Sequence, residues 1–236
     1  MAYKSVNITD NLMYLTFDYI HSTDWTVDTM GDEYVFNVLN AYVDVERDYV
    51  LEFAMVKVMN RDSLKHLLKV LKIHRNIKDI VSFRPVNYGY PKYILTVLRG
   101  DALDSTRYTA HALGGIEVKA IYEGGIEHWG FIFPTENSVK AFLTMVSRRG
   151  SVGKVKIKEV DLDNLLADSL KKASLILTSS EFKVLSIAYN RGFFEVPRRV
   201  RLDELARELG LSKSTVDGYI REGVRKILGF IFEDDI

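Results

Sequence analysis

Residues 178–228 constrain this chain most, because they spell three short amphipathic helices in a fixed order. Thr178 and Glu181 stand at capping-box spacing: the hydroxyl accepts from the backbone amide three residues on, and the carboxylate reaches back. Leu177 and Phe182 occupy the positions of a hydrophobic staple. Phe182, Leu185, Ala188 and Tyr189 make one apolar face, and Gly192 suits a helix stop. A second helix carries Leu202, Leu205, Ala206 and Leu209 at i, i+3, i+4, i+7, with Asp203 and Glu204 in its first turn, where the helix dipole favours carboxylates. Gly210 ends it and Leu211 fills the corner. Ser212 is a good N-cap for a third helix that buries Val216, Ile220, Val224 and Ile227.

Helix, short glycine-containing turn, helix is the helix-turn-helix unit. The tight turn makes the third helix cross the second steeply and leaves its polar front outward, at a width that fits a DNA major groove. The residues expected to meet DNA are Ser212, Lys213, Ser214, Thr215, Asp217, Gly218, Tyr219, Arg221 and Arg225, with Arg198, Arg199 and Arg201 from the preceding loop. The loop arginines suit phosphates, although a solvated charged loop accounts for them equally well. Lys213, Ser214 and Thr215 open a helix whose amino end also attracts phosphate. Asp217 would repel phosphate but can accept from a cytosine amino group. Tyr219 either stacks at the groove edge or fills the core beside Ile220. A plain helical bundle with no nucleic-acid role is the competing reading of the same periodicity.

The whole chain has zero formal net charge, so no bulk attraction to nucleic acid is expected. Residues 183–226, however, hold ten cations against six anions, the modest basic field that phosphate contacts need. Glu233, Asp234 and Asp235 at the tail offset it, and residues 229–232 between are apolar.

The segment also resembles a known family. Its Leu177-Thr178 opening, Ala188 followed by Gly192-Phe193-Phe194, Pro197-Arg198-Arg199, Leu205-Ala206, Leu209-Gly210 and Ser212-Lys213-Ser214-Thr215-Val216 are similar to the helix-turn-helix of the archaeal bacterio-opsin-activator type of transcription regulator. The likeness covers about the last quarter of the chain. Gly218 and Tyr219 depart from the acidic residue and histidine common in that family, and Gly223 from its usual alanine. Each glycine costs about 1 kcal/mol of helix propensity relative to alanine.

The length of 236 residues accommodates two domains. The absence of cysteine excludes disulfides, thiolate metal sites and cysteine nucleophiles. With no apolar run of about 18 residues and no signal-peptide pattern in MAYKSVNITD, a cytoplasmic protein is expected. The front of the chain is β-rich. Residues 33–45 and 49–59 read as a hairpin, 116–122 and 128–133 as another, and 100–110 as a polar loop. Leu64, Leu67, Leu68 and Leu71 mark one helix, and Val139, Phe142, Leu143 and Val146 a second. Lys154, Lys156 and Lys158 alternate with apolar residues as on a lysine-guarded edge strand. Residues 49–85 and 128–160 thus both run β-α-β, so the expected class is α+β: a ferredoxin-like (βαβ-βαβ) domain with extra strands over 1–160, and an all-α helix-turn-helix domain over 175–236. Residues 161–174 read as a helical connector.

No paired carboxylates, nucleophile-base pair or glycine-rich phosphate loop is legible in the sequence. The histidines show no short metal-ligand spacing, so neither metal nor cofactor is expected; His21, Asp24, His111 and His128 are the only scattered candidates. An effector pocket is sought among His21, Trp25, Tyr108, His111 and Trp129. The expected function is a DNA-binding regulator, not an enzyme, acting as a homodimer on double-stranded DNA with a sensing or dimerising front domain. The alternatives are a small-molecule enzyme or a protein-interaction module with a regulatory helical tail.

Overall fold

The computed structural model describes residues 12–160 and 177–232. The chain divides into two compact units, Met1–Leu165 and Leu166–Ile236. The expected connector at 161–174 and the acidic tail lie outside the described residues.

Alternating apolar residues build the first unit. Its strands are β1 (Met13–His21), β2 (Tyr34–Asp44), β3 (Tyr49–Val58), β4 (Ile77–Pro85), β5 (Lys92–Gly100), β6 (Ile116–Glu123), β7 (Ile126–Phe133) and β8 (Gly150–Glu159). They form one sheet in the order β4-β5-β3-β2-β6-β7-β1-β8, and every neighbouring pair is antiparallel. Helices α1 (Arg61–Ile73), α2 (Thr106–Ala112) and α3 (Glu136–Val146) accompany it. Each starts on a side-chain cap: Asn60 accepts from the Ser63 amide, Ser105 from Tyr108 and Thr135 from Ser138. Leu67, Val70 and Leu71 of α1, and Val139, Phe142 and Val146 of α3, join Leu15, Phe17, Phe36, Phe131 and Phe133 in one buried core. The ring of Phe142 lies 5.1–5.6 Å from those of Phe17, Phe131 and Phe133, the spacing at which aromatic pairs add to simple burial.

Both expected β-α-β units are present, but the sheet is not the ferredoxin-like one anticipated. Strands β3 and β4 run parallel with β5 between them, and β7 and β8 run parallel with β1 between them. The first half, β2-β3-α1-β4-β5, therefore has the strand order β4-β5-β3-β2. The second has β8-β1-β7-β6, the same arrangement with β1 standing where β5 stands in the first. The halves lie side by side in an eight-stranded sheet, joined where Val35, Phe36 and Asn37 face Glu123, Tyr122 and Ile121. The lysine strand β8 is an edge, as its composition indicated. The expected polar loop at 100–110 contains the start of α2.

Among the described residues, the second unit has three helices: α4 (Ser179–Asn190), α5 (Leu202–Leu209) and α6 (Lys213–Phe232). Val184, Ala188, Phe193, Val200, Leu205, Ala206, Val216 and Ile220 form its core. The inward face of α4 differs from the expected one. Phe182 and Tyr189 are exposed, Val184 and Ala188 are buried, and Leu177 is buried at the staple position without a buried Phe182 above it. Leu185 and Ala188 of the expected face do meet the core, and Val184, four residues before Ala188, takes the inward place that the two aromatic residues leave.

Candidate nucleic-acid interface

The local geometry that presents α6 begins at its caps. The Thr178 side chain accepts from the Glu181 amide, and the Glu181 carboxylate accepts from the Thr178 amide at 2.7 Å, completing the capping box. Lys226, near the other end of the unit in sequence, donates to both Glu181 oxygens at 2.8 and 2.9 Å. One buried carboxylate thus ties the start of α4 to α6. Burial pushes that carboxyl up, but the Lys226 ammonium and the Thr178 donors outweigh it and hold it below the ordinary glutamate value. This tie was not legible in the sequence, since it joins residues 45 apart.

Gly210 takes φ +65°, and the Leu211 amide bonds back to the Ala206 carbonyl. That left-handed step, open to glycine at no steric cost, makes the corner between α5 and α6. Ser212 accepts from the Thr215 amide at 3.1 Å and caps α6 as expected. Val216 and Ile220 are buried, and Gly223 lies so close to α4 that an added Cβ would sit 2.5 Å from Leu185 Cδ1. Helical spacing then sends Ser214, Gly218, Arg221 and Arg225 to the opposite, exposed pole. Lys213 is exposed beside them.

The candidate residues divide by what they touch within the unit. Arg221 pairs with Asp217 at 2.8 Å, so Asp217 is not the free acceptor anticipated. Arg225 pairs with Glu222 at 2.7 Å, and Arg199 with Glu195 at 2.5 Å. Tyr219 packs partly buried against the core. Arg198 stacks on the Phe193 ring at 4.6 Å. Arg198, Arg201 and Lys213 have no carboxylate partner among the described residues. They are the cations most available to an outside anion.

A family model for the HTH DNA binding domain matches residues 177–229. This segment is a helix-turn-helix DNA-binding domain of the bacterio-opsin-activator type. No match to the chain is found among curated proteins. The helix-turn-helix domain accounts for the basic field of residues 183–226 and for the outward pole of α6. No helix among the described residues is long and apolar enough to cross a membrane.

The candidates in the sheet unit separate differently. His21, Trp25 and Trp129 line one cavity, whereas Tyr108 and His111 on α2 do not. Its walls include residues not anticipated together: Glu52, Asp104, Thr106, Arg107, Tyr122 and Glu127. Arg107 is buried between Glu52 and Glu117, donates to Tyr122 Oη at 2.9 Å and lies over the Trp129 ring at 4.7 Å. Burial pushes the His21 imidazole down to about 4, so it is neutral at pH 7. Burial also pushes the Asp24 carboxyl up to about 7, and Glu127 well above its ordinary value. The missed residues did leave a signal. Glu52 falls in phase with Val50, Ala54 and Val56, and Glu127 with Trp129, Phe131 and Phe133, so each is a carboxylate on the apolar side of an alternating strand.

Proposed function

We propose that the protein is a transcription regulator that binds duplex DNA as a homodimer, with α6 in the major groove and the sheet unit sensing an effector or pairing subunits. The observation that carries this reading is the exposed pole of α6, held outward by a capped, glycine-turned three-helix core in a segment that matches a DNA-binding family. Ser214 and Arg221 are assigned to base edges, with Asp217 holding the Arg221 guanidinium in place. At Gly218 the missing side chain lets the backbone approach the bases. Arg198, Arg201 and Lys213 are assigned to phosphates. Two copies place their α6 helices in successive grooves about 34 Å apart or a multiple of it.

Selection of bound duplexes from a random pool tests this directly. The expected product is a motif of two related half-sites, and Lys213→Ala and Arg221→Ala each lower affinity for it while leaving the circular dichroism unchanged. No enriched motif, or full binding by both variants, overturns the assignment.

A further inference from the structure

We propose that the sheet unit binds one divalent transition-metal cation on His21, Asp24 and Glu127. One nitrogen and two carboxylate oxygens from these three residues lie within 4.8 Å of one another, a separation that a single ion can span. They come from the end of β1, the loop after it and β7, so the sheet register rather than local spacing brings them together. His21 and Glu127 are buried, and Asp24 is partly so.

The histidine is poised as a ligand. Its Nε2 lies 3.3 Å from Thr23 Oγ1 and 3.7 Å from Asp104 Oδ1, while Nδ1 faces Glu127 Oε1 at 3.8 Å, too far for a hydrogen bond. A proton on Nε2 is donated to Thr23 Oγ1, which in turn donates to Asp104 at 2.7 Å, and this leaves the Nδ1 lone pair on the Glu127 side, the outer-shell support that orients metal-bound histidines. Glu127 is held in place by Thr26 at 2.9 Å and Trp129 Nε1 at 2.7 Å, and Asp24 by the Thr26 amide at 3.1 Å.

The basic side chains around the cavity are taken by other carboxylates. Arg107 is committed to Glu52 and Glu117, and Arg149 to Asp104. Asp24 and Glu127 are left with no lysine or arginine partner among the described residues. A second observation points to a ligand: Thr106 lines the same cavity and is 3 % exposed, and its Oγ1 has no hydrogen-bond partner among the described residues. The cavity volume is about 40 Å³. A buried water needs about 10–15 Å³ by this measure, whereas pockets for organic ligands run to about 300–1,000 Å³. An ion with one or two waters fits; a metabolite does not.

Trp25 and Trp129, the only tryptophans of the chain, both line this cavity, so their emission reports its occupancy. The test uses the full chain after dialysis against chelator, titrated with Zn²⁺, Mn²⁺ or Mg²⁺ alone by calorimetry, tryptophan emission and thermal melting. The expected result is one equivalent of Zn²⁺ or Mn²⁺ per chain, a changed emission, and a melting temperature raised by roughly 5–10 °C at a hundredfold excess over Kd. His21→Gln, Asp24→Asn and Glu127→Gln each abolish all three responses, and His111→Ala keeps them. Folding of each variant is checked by circular dichroism, and any one that folds suffices. No saturable response to any of the three ions, or binding that survives in the folded variants, overturns the site. The measurement involves no DNA, so its failure leaves the DNA-binding reading standing, and the converse holds.

Discussion

Two glycines in α6 receive opposite predictions from the same substitution. Replacing a helix-interior glycine with alanine gains about 1 kcal/mol of propensity. At Gly218 an added Cβ meets nothing within 4 Å, so Gly218→Ala keeps the whole gain. For a unit of this size that is a rise of about 4–8 °C in melting temperature. At Gly223 the Cβ would lie 2.5 Å from Leu185 Cδ1 and 3.3 Å from Cγ. Carbon atoms pack at about 3.5–4.0 Å, so the end of the partly buried Leu185 side chain must withdraw by about 1 Å against the core. Overpacking of that kind costs about 1–3 kcal/mol. Gly223→Ala is therefore neutral to about 2 kcal/mol destabilising, although alanine is usual at that position in the resembled family. Far-UV circular dichroism melts of the full chain follow the helices. Tryptophan emission follows the sheet unit separately, because both tryptophans lie there. Equal stabilisation by the two substitutions would refute the close contact between α6 and α4.

Lys226→Met strands the buried Glu181 carboxylate and lowers the stability of the helical unit by about 1.5–3 kcal/mol, the range for a hydrogen bond to a charged group, read by denaturant titration. Because the Glu181 pKa is depressed on folding, its contribution is complete above the ordinary value of 4.5 and disappears as pH falls through the folded value. Glu181→Gln therefore shows a flatter loss of stability in acid than the parent protein. Arg107→Met leaves the buried Glu52 and the partly buried Glu117 without their cation and destabilises the sheet unit by about 3–5 kcal/mol, measured as an earlier loss of native tryptophan emission on heating. Removing Lys213 from the phosphate set reduces the slope of log affinity against log salt by about 1, uniformly across DNA sequences.

The helical unit was largely legible because its signals are local. Thr178, Glu181, Gly210 and Ser212 each act within four residues of themselves, and each does in the structure what its position implied. What stayed hidden depends on residues distant in sequence. The Lys226–Glu181 tie joins opposite ends of the domain. The sheet was legible as strands and as two β-α-β units, but not as a layout. Nothing near β1 signals that it inserts between β7 and β8, more than a hundred residues later. The cavity was half legible: His21, Trp25 and Trp129 stood out by residue type. Glu127 did not, because a carboxylate within a hydrophobic alternation reads as surface until the phase of the strand is followed.

The insertion of β1 has a consequence for the origin and engineering of the sheet. The Val160 amide donates to the Leu12 carbonyl at 2.8 Å, so β8 finishes beside the start of β1. A chain permuted to begin at β2 and to carry β1 after β8 on a short hairpin would run as two consecutive copies of one β-β-α-β-β module. The natural connectivity is that tandem array with its last strand transferred to the front, which binds both copies into a sheet that no single cut between them can divide.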